Sequence, residues 1–491
     1  MHYKQKYLVV LLSIGSFVCV MADQSRNVSV EVGNQKQLFV DDWIVAEKVN
    51  VERRLGTVTK ANNGEPIFTD GTFYGTVLHD EGKFKLWFRK FNGAGYAYAE
   101  SSDGLHFVKK ADVTGIPFAG DFNLAVEIDP HESDPAHRYK GGFDAIRMAT
   151  GIAYSADGIE WKTYNNGEPV TYRAADCHNH ILWDPLANVY RLFTRTDHGP
   201  LEGVGGGPLE GTVSDNFEVR GTRGMINPDI KKNPTSWELV HHWHFGREGP
   251  KEYLRRQIYS MTVWIHENIY FALMSVYEHP GDVREGLETD HVNRHDHDIM
   301  NFYIATSRDC DSWDLSWVYA NDPLIPRGPN GSYDKDGVFP SSTVVTHDDR
   351  HWLYYSGNNE RHGTAEFEPP VLFERTSAIG LATLRLDGFI GLHADATGGT
   401  VTTKPFLLEG DHLQVNIDGR AGSFSIEVLD EKGQPVPGFN ESSAQVYQNV
   451  DDIRFEPQWK GSDNFASLNG QIIHLKFKLN DATLYAFQIR D

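Results

Sequence analysis

Five stretches of the sequence put polar side chains just ahead of an apolar run. They are Asp70-Gly71-Thr72-Phe73-Tyr74, Asp121-Phe122-Asn123, Asp176-Cys177-His178-Asn179-His180, Arg255-Arg256-Gln257-Ile258-Tyr259 and Asp336-Gly337-Val338-Phe339-Pro340. A second polar group follows the next apolar runs: Arg89, Arg147, Arg195-Thr196-Asp197-His198, Tyr277-Glu278-His279 and Asn359-Glu360-Arg361-His362. One acid before a strand is an ordinary backbone cap, so the recurrence is what suggests a shared site. Arginine offers a planar fork that matches a carboxylate or a sulfate, and histidine exchanges a proton near neutral pH. An anionic ligand is the expectation. Two chemistries fit these residue types. Hydrolysis of a glycosidic bond needs two carboxyl groups, one kept protonated, and Asp70, Asp121, Asp176, Asp336 and Glu360 are the candidates. Elimination from a uronic acid needs a cation to neutralise the carboxylate, a base for the C5 proton and an acid at the departing O4.

His178, His198, Tyr259, His279, Arg195 and Arg256 are the right types for elimination. In that reading His178 or His198 shares the base and acid roles with Tyr259, and Asp176 orients a histidine. Arg195 and Arg256 hold the carboxylate, and Asp121, Asn123, Asp336, His279 and Arg361 complete the substrate-binding set. Other histidines cluster at His241-His242-Trp243-His244 and at His291, His295 and His297, the last two beside Asp296 and Asp298. Metal ligation needs convergent imidazoles and carboxylates. No zinc signature is present, so a divalent metal ion is left open beside the reading of a loop that walls the substrate pocket.

The elements that must position these groups announce themselves by a repeat, the first pattern to seek in a chain of this length. A β-rich run followed by Ser or Ala, Asp, Gly and an aromatic occurs at Ser102-Asp103-Gly104, Ala156-Asp157-Gly158, Ser214-Asp215-Asn216, Arg308-Asp309-Cys310 and Leu386-Asp387-Gly388. Asp-Gly predicts a tight hairpin with positive φ angles, and the aromatic after it opens the next strand. Aromatic and aliphatic strands precede most of the phrases, such as Phe84-Lys85-Leu86-Trp87-Phe88, Val189-Tyr190-Arg191-Leu192-Phe193, Ile269-Tyr270-Phe271-Ala272-Leu273-Met274 and Trp352-Leu353-Tyr354-Tyr355. The pattern predicts an all-β chain, a five-bladed β-propeller over residues 23–398, with each polar stretch opening the innermost strand of one blade. Two β-sandwiches with coincidental turns are the competing architecture. The texture changes at Gly398-Gly399, and short strands such as Leu413-Gln414-Val415-Asn416-Ile417, Phe424-Ser425-Ile426-Glu427-Val428 and His474-Leu475-Lys476-Phe477-Lys478 predict a β-sandwich accessory domain over 399–491.

The chain has 491 residues, with 46 Lys and Arg against 68 Asp and Glu and a formal charge of -22. Such a balance disfavours duplex nucleic acid and an anionic membrane surface. Lys4 and Lys6 precede an apolar stretch from Tyr7 to Val20, and Val20-Met21-Ala22 offers small residues for cleavage, so residues 1–22 read as an export signal. The stretch is too short to span a membrane comfortably, and the protein is expected in the periplasm or outside the cell. A lipid anchor at Cys19 is disfavoured by Ser16-Phe17-Val18 ahead of it. Cleavage removes two lysines and no acid, leaving -24, with Cys177 and Cys310 as the remaining thiols, enough for at most one bridge.

Four segments resemble a family of exported bacterial proteins similar to the amino-terminal propeller of fructan-type glycoside hydrolases. They are Leu38-Phe39-Val40-Asp41-Asp42-Trp43-Ile44-Val45, Glu52-Arg53-Arg54, Asp336-Gly337-Val338-Phe339-Pro340, and Ile379 through Phe389. Gly399-Thr400-Val401-Thr402-Thr403-Lys404-Pro405 and Trp459-Lys460-Gly461 extend the likeness over nearly all of the mature chain. The Trp-Met-Asn-Asp-Pro-Asn nucleophile motif of the fructan enzymes is absent. The His-rich variant here resembles the ulvan oligosaccharide dehydratase type of marine Bacteroidetes. That resemblance implies removal of water from a terminal glucuronic or iduronic acid to leave a 4,5-unsaturated sugar. The negative charge is compatible with an anionic oligosaccharide, since seawater-like salt screens charges beyond about 3 to 4 Å.

Overall fold

The computed structural model describes residues 29–91, 95–118, 123–146, 149–171, 178–198, 219–249, 252, 255–278, 298–359, 361 and 377–491. These residues are nearly all β-structure, and among them Ser316–Ala320 is the one α-helix. Three sheets are four-stranded antiparallel meanders. The first runs Gly71–Asp80, Lys83–Lys90, Tyr96–Ser101 and Val108–Asp112. The second runs Leu124–Ile128, Tyr139–Ala145, Ala149–Ser155 and Trp161–Thr163, and the third His180–Asp184, Val189–His198, Val219–Asn227 and Glu238–Trp243. An eight-stranded sheet has two halves that meet through a single parallel pair, Met300 with Gly337. Its first half is Arg256–His266, Ile269–Glu278 and Ile299–Ser307. Its second half is Gly337–Pro340, Val345–His347, Arg350–Asn358, Ser377–Arg385 and the early strand Thr59–Lys60.

The inner strands are buried on both faces because each sheet is sandwiched between neighbours, whereas outer strands such as Val108–Asp112 are exposed. Along Lys83–Lys90, Phe84, Leu86 and Phe88 pack with Tyr354, Ile379 and Leu381 of the last strands. Trp87 faces the opposite way, into a cluster with Tyr139, Phe143 and Trp161 of the second sheet. Side chains alternate faces along a strand, so one sequence run serves two cores. Full burial of each such aromatic contributes about 1.5–3 kcal/mol. The series returns on itself: the amide of Val77 donates to Ser341 Oγ at 3.2 Å, and Thr59–Lys60 adds to the edge of Ser377–Arg385.

A buried polar lock recurs between neighbouring sheets. The first strand of each four-stranded sheet ends in or just before an aspartate, and a tyrosine of the next sheet donates to it. Tyr139 reaches Asp80 at 2.7 Å, Tyr190 reaches Asp129 at 2.8 Å and Tyr270 reaches Asp184 at 2.8 Å. A cation on the adjacent strand of the aspartate's own sheet neutralises each: Lys85 at 2.6 Å, Lys140 at 3.0 Å and Arg191 at 2.5 Å. Burial alone would raise the Asp80 carboxyl, but hydrogen bonds from Arg138, Lys85 and Tyr139 outweigh it and hold the group at about 2. At the next junction the positions fall to His266 and His351, joined through Asp387, which also takes Lys36 at 2.8 Å.

The repeated turn also departs from its expected form. In Ser101-Ser102-Asp103-Gly104, Ser155-Ala156-Asp157-Gly158 and Ser307-Arg308-Asp309-Cys310 the serine Oγ accepts the amide of the last residue. The aspartate Oδ1 accepts the two amides after that. Positive φ falls on the last residue alone (Gly104, Gly158, Cys310), because the aspartate acts through its side chain. Gly158 has a second reason to be glycine: a Cβ there would lie 2.5 Å from Trp87 of the preceding sheet. In the fifth phrase Asp387 itself takes φ 60°. The third phrase, with Asp215, lies outside the described residues.

The expected division at 398/399 needs correction. A ten-stranded sheet with its own core unites Gly399–Thr403, Phe406–Leu407, His412–Asp430, Tyr447–Phe455, Ile472–Asn480 and Ala482–Arg490 with Gln37–Leu38, Val45–Val49, Glu52–Leu55 and Ile390–Ala394. The amino-terminal strands therefore belong with the carboxy-terminal sheet. The two short strands expected around Val415 and Ile426 are one strand of 19 residues, His412–Asp430, whose bends are absorbed by register shifts at residues 415–417 and 419–423.

The locks predict unequal losses. Asp184→Asn leaves the half-buried Arg191 guanidinium without its anion and should destabilise by about 3–5 kcal/mol. Tyr270→Phe removes one hydrogen bond and leaves that ion pair, for about 1 kcal/mol. Denaturant midpoints of the two variants check the order.

Candidate active site

Three chemistry-bearing residues stand on irregular backbone at the beginnings of first strands. Tyr74 lies where pairing jumps from Thr72–Arg89 to Thr76–Trp87. Tyr259 is the extra residue between Ile258–Val276 and Ser260–Ser275. His178 takes φ 44°, a left-handed conformation unusual for a side chain with a Cβ. Bulges and left-handed residues re-aim side chains that a regular pleat would send elsewhere, and they concentrate at functional sites.

The three converge. The Tyr74 and Tyr259 hydroxyls are 2.8 Å apart. The His178 ring stands edge-on to Tyr74 with centroids 5.5 Å apart. Phe339 packs against both tyrosines at 5.6 and 5.8 Å, and Tyr277 against Tyr259 at 4.6 Å. Arg195 lies over the Tyr259 ring at 5.8 Å and Arg220 over Tyr277 at 5.1 Å. The chain after His178 is pinned at Asn179, whose backbone N–H and side-chain Nδ2 both donate to Asn123 Oδ1, at 3.2 and 3.0 Å, and whose Oδ1 accepts from the Thr150 and Thr194 hydroxyls at 2.7 Å each.

His178 is 2% exposed, and neither ring nitrogen has a hydrogen-bond partner among the described residues. Burial, helped by nearby His180, pushes its pKa down to about 3. The ring is therefore neutral in ordinary buffers and becomes a useful base only when an anion approaches. His180 has a different job: Nδ1 accepts the Val263 amide at 3.1 Å, leaving Nε2 to donate to Glu127 at 2.8 Å.

The remaining sequence candidates divide. Asn123 spends its oxygen on Asn179, and its Nδ2 is buried with no described hydrogen-bond partner. Arg256 does not fit the role of carboxylate clamp. It is wholly buried among Glu248, Glu252 and Glu278 at 3.6, 3.6 and 3.7 Å, so its charge is already answered. Asp336 pairs with Lys335 and lies 3.9 Å from Arg361, forming a second polar group near Arg327 and Glu278. Asp121, Asp176, His279 and the side chain of His198 lie outside the described residues, as do His291, His295, His297 and Cys177. Tyr74, Tyr277 and Phe339 are additions to the expected site residues; nothing in a linear pattern marks a bulge.

His266, His351 and Asp387 have ligand atoms close enough for a metal, but their donors are spent. His351 Nε2 accepts the Asp387 amide at 3.0 Å, and the Asp387 carboxylate holds both His266 and Lys36. The arrangement is a lock between sheets. Two described cavities, of about 850 and 460 Å³, lie elsewhere, the first beside Glu47, Lys432, His474 and Lys476, the second beside Arg53, Trp317 and Leu324.

No family model matches the chain, and no curated protein matches it. Solved structures similar to it include an exo-inulinase from Aspergillus awamori, at 14% identity and a TM-score of 0.38 over 88% of this chain and 99% of that one. A glycosyl hydrolase from Bacteroides ovatus matches at 13% identity and 0.42 over 71% and 96%. A thermostable family-43 glycoside hydrolase matches at 12% and 0.39 over 65% and 92%.

Because the unfolded His178 binds a proton near pH 6.5 and the folded one only near 3, the unfolded chain holds more protons between those values. The contribution to stability is whole above about pH 6.5 and is lost as pH falls toward 3, by up to about 1.4 kcal/mol per pH unit. His178→Gln should flatten that acid slope in unfolding measurements made between pH 7 and 4.5.

Proposed function

We propose that this chain is an exported carbohydrate-active enzyme, a five-bladed β-propeller whose innermost strands carry the active site at one end. In this reading residues 399–491, together with the amino-terminal strands, form an accessory β-domain. The reaction proposed is loss of water from a terminal glucuronic or iduronic acid of an ulvan-type oligosaccharide, giving a 4,5-unsaturated end. The observation that carries it is the neutral His178, whose ring nitrogens have no hydrogen-bond partner among the described residues, beside the Tyr74–Tyr259 hydroxyl pair. A buried imidazole with a free nitrogen is suited to take the C5 proton, and a phenol to give one to O4. Approach of the substrate carboxylate would raise the basicity of the ring. Arg195 is the cation proposed to balance that carboxylate.

Exo-acting hydrolysis of a glycosidic bond is the second reading, favoured by the acids that precede these strands in the sequence, Asp70, Asp121, Asp176 and Asp336. The two readings separate on saturated, uronic-acid-ended ulvan oligosaccharides. Dehydration gives a conjugated product that absorbs in the ultraviolet and is lighter by one water, whereas hydrolysis releases a monosaccharide without that absorbance. Under the first reading His178→Ala and Tyr259→Phe should each lower kcat by about 10²–10⁴. Under the second, Asp336→Asn should abolish turnover and His178→Ala should leave much of it. Binding without either product would leave a sugar-binding protein.

A further inference from the structure

We infer that Tyr74 is a positioning residue that sets the acidity of Tyr259 through their shared hydrogen bond. Its catalytic consequence rests on the dehydration reading, but the contact does not. The two residues are 185 positions apart in sequence, on first strands of different sheets. Each sits in a register irregularity, and the two irregularities bring the hydroxyls to 2.8 Å. Tyr74 is further fixed by T-shaped contacts with His178 and Phe339 and by the Tyr96 hydroxyl, which donates to its carbonyl at 3.1 Å. Between two phenols only one proton occupies the shared bond. When Tyr74 donates, its O–H stabilises negative charge that develops on the Tyr259 oxygen.

The step balances as follows. The C5 proton passes to neutral His178, and the C5–H electron pair forms the C4=C5 bond. The C4–O4 bond breaks with its pair going to oxygen, which takes the Tyr259 proton and leaves as water. Tyr259 is then a phenolate in a buried site, where an unsupported charge is strongly disfavoured. The Tyr74 O–H donates to that oxygen, and the Arg195 guanidinium lies over its ring. Return of the proton from His178 to Tyr259 restores both groups.

The test titrates tyrosine ionisation by NMR on protein carrying carbon-13 at the ring hydroxyl carbon, with Tyr259 assigned by its loss in Tyr259→Phe. Tyr74→Phe should raise the pH at which Tyr259 ionises by about one unit or more, the scale of a lost charge-assisted hydrogen bond. The reciprocal variant, Tyr259→Phe, should move the Tyr74 resonance likewise, so that either protein suffices if the other folds poorly. With uronate substrate, Tyr74→Phe should lower kcat about tenfold or more, leave KM unchanged and shift the basic limb of the pH profile upward by the same interval. Identical ionisation of Tyr259 in wild type and Tyr74→Phe overturns the inference, as does a Tyr259 that never ionises below alkaline unfolding. An enzyme that dehydrates no uronate but shows the tyrosine shift overturns the proposed reaction and leaves the Tyr74 assignment standing.

Discussion

The structure depends on a polar interaction repeated between neighbouring sheets: a buried aspartate, a cation beside it on its own sheet and a tyrosine hydroxyl from the next. Apolar packing supplies most of the stabilisation but has no direction, so it tolerates sliding and rotation of one sheet on another. A buried carboxylate does not, since its charge must be met by a fixed cation and a fixed donor. Asp80, Asp129 and Asp184 impose that register at three successive junctions. At the fourth, His266, His351 and Asp387 serve in their place, and Lys36 ties the amino-terminal segment to the same carboxylate.

With the sheets held in register at one end of their first strands, the opposite ends can carry irregular backbone. Tyr74, Tyr259 and His178 all stand on such backbone, two in bulges and one in the left-handed region. Lost ladder bonds and a strained φ are tolerable where the surroundings are over-determined. Asn123, Thr150 and Thr194, all clamped on Asn179, provide that support next to His178. The result is a neutral imidazole and a phenol pair within one aromatic enclosure, with Arg195 and Arg220 stacked on its rim tyrosines. Proton transfer between carbon and oxygen needs such groups near one another and away from bulk water.

The carboxy-terminal sheet shows a different economy. Its core is separate, yet it takes strands from both ends of the chain, so residues 30–55 and 390–490 fold as one body. Arg385 fastens it to the rest through Asn416 at 3.0 Å and Asp451 at 2.6 Å, and Arg454 reaches Asp349 at 2.6 Å. A boundary drawn at the Gly398-Gly399 change of texture follows composition, whereas pairing is decided by which strand edges remain open.

The sequence by itself determined the β-class, the places of the repeated Asp-Gly-type turns and the strands of alternating aromatic and aliphatic residues, because alternation and turn chemistry act over a few residues. It also singled out His178, Tyr259 and Arg195, whose types suit proton transfer and anion binding. Tertiary structure decided the rest. Arg256 looks like a ligand-binding arginine until the folded chain closes three carboxylates around it, Glu248 and Glu252 from the preceding segment and Glu278 from the adjacent strand. Tyr74 looks like an ordinary strand aromatic until a bulge turns its hydroxyl onto Tyr259. The physical reason is the same in both cases. A side chain's chemistry is set by its charge partners and its direction, and both are fixed by how the backbone folds: partners four to 22 positions away for Arg256, and one 185 positions away for Tyr74.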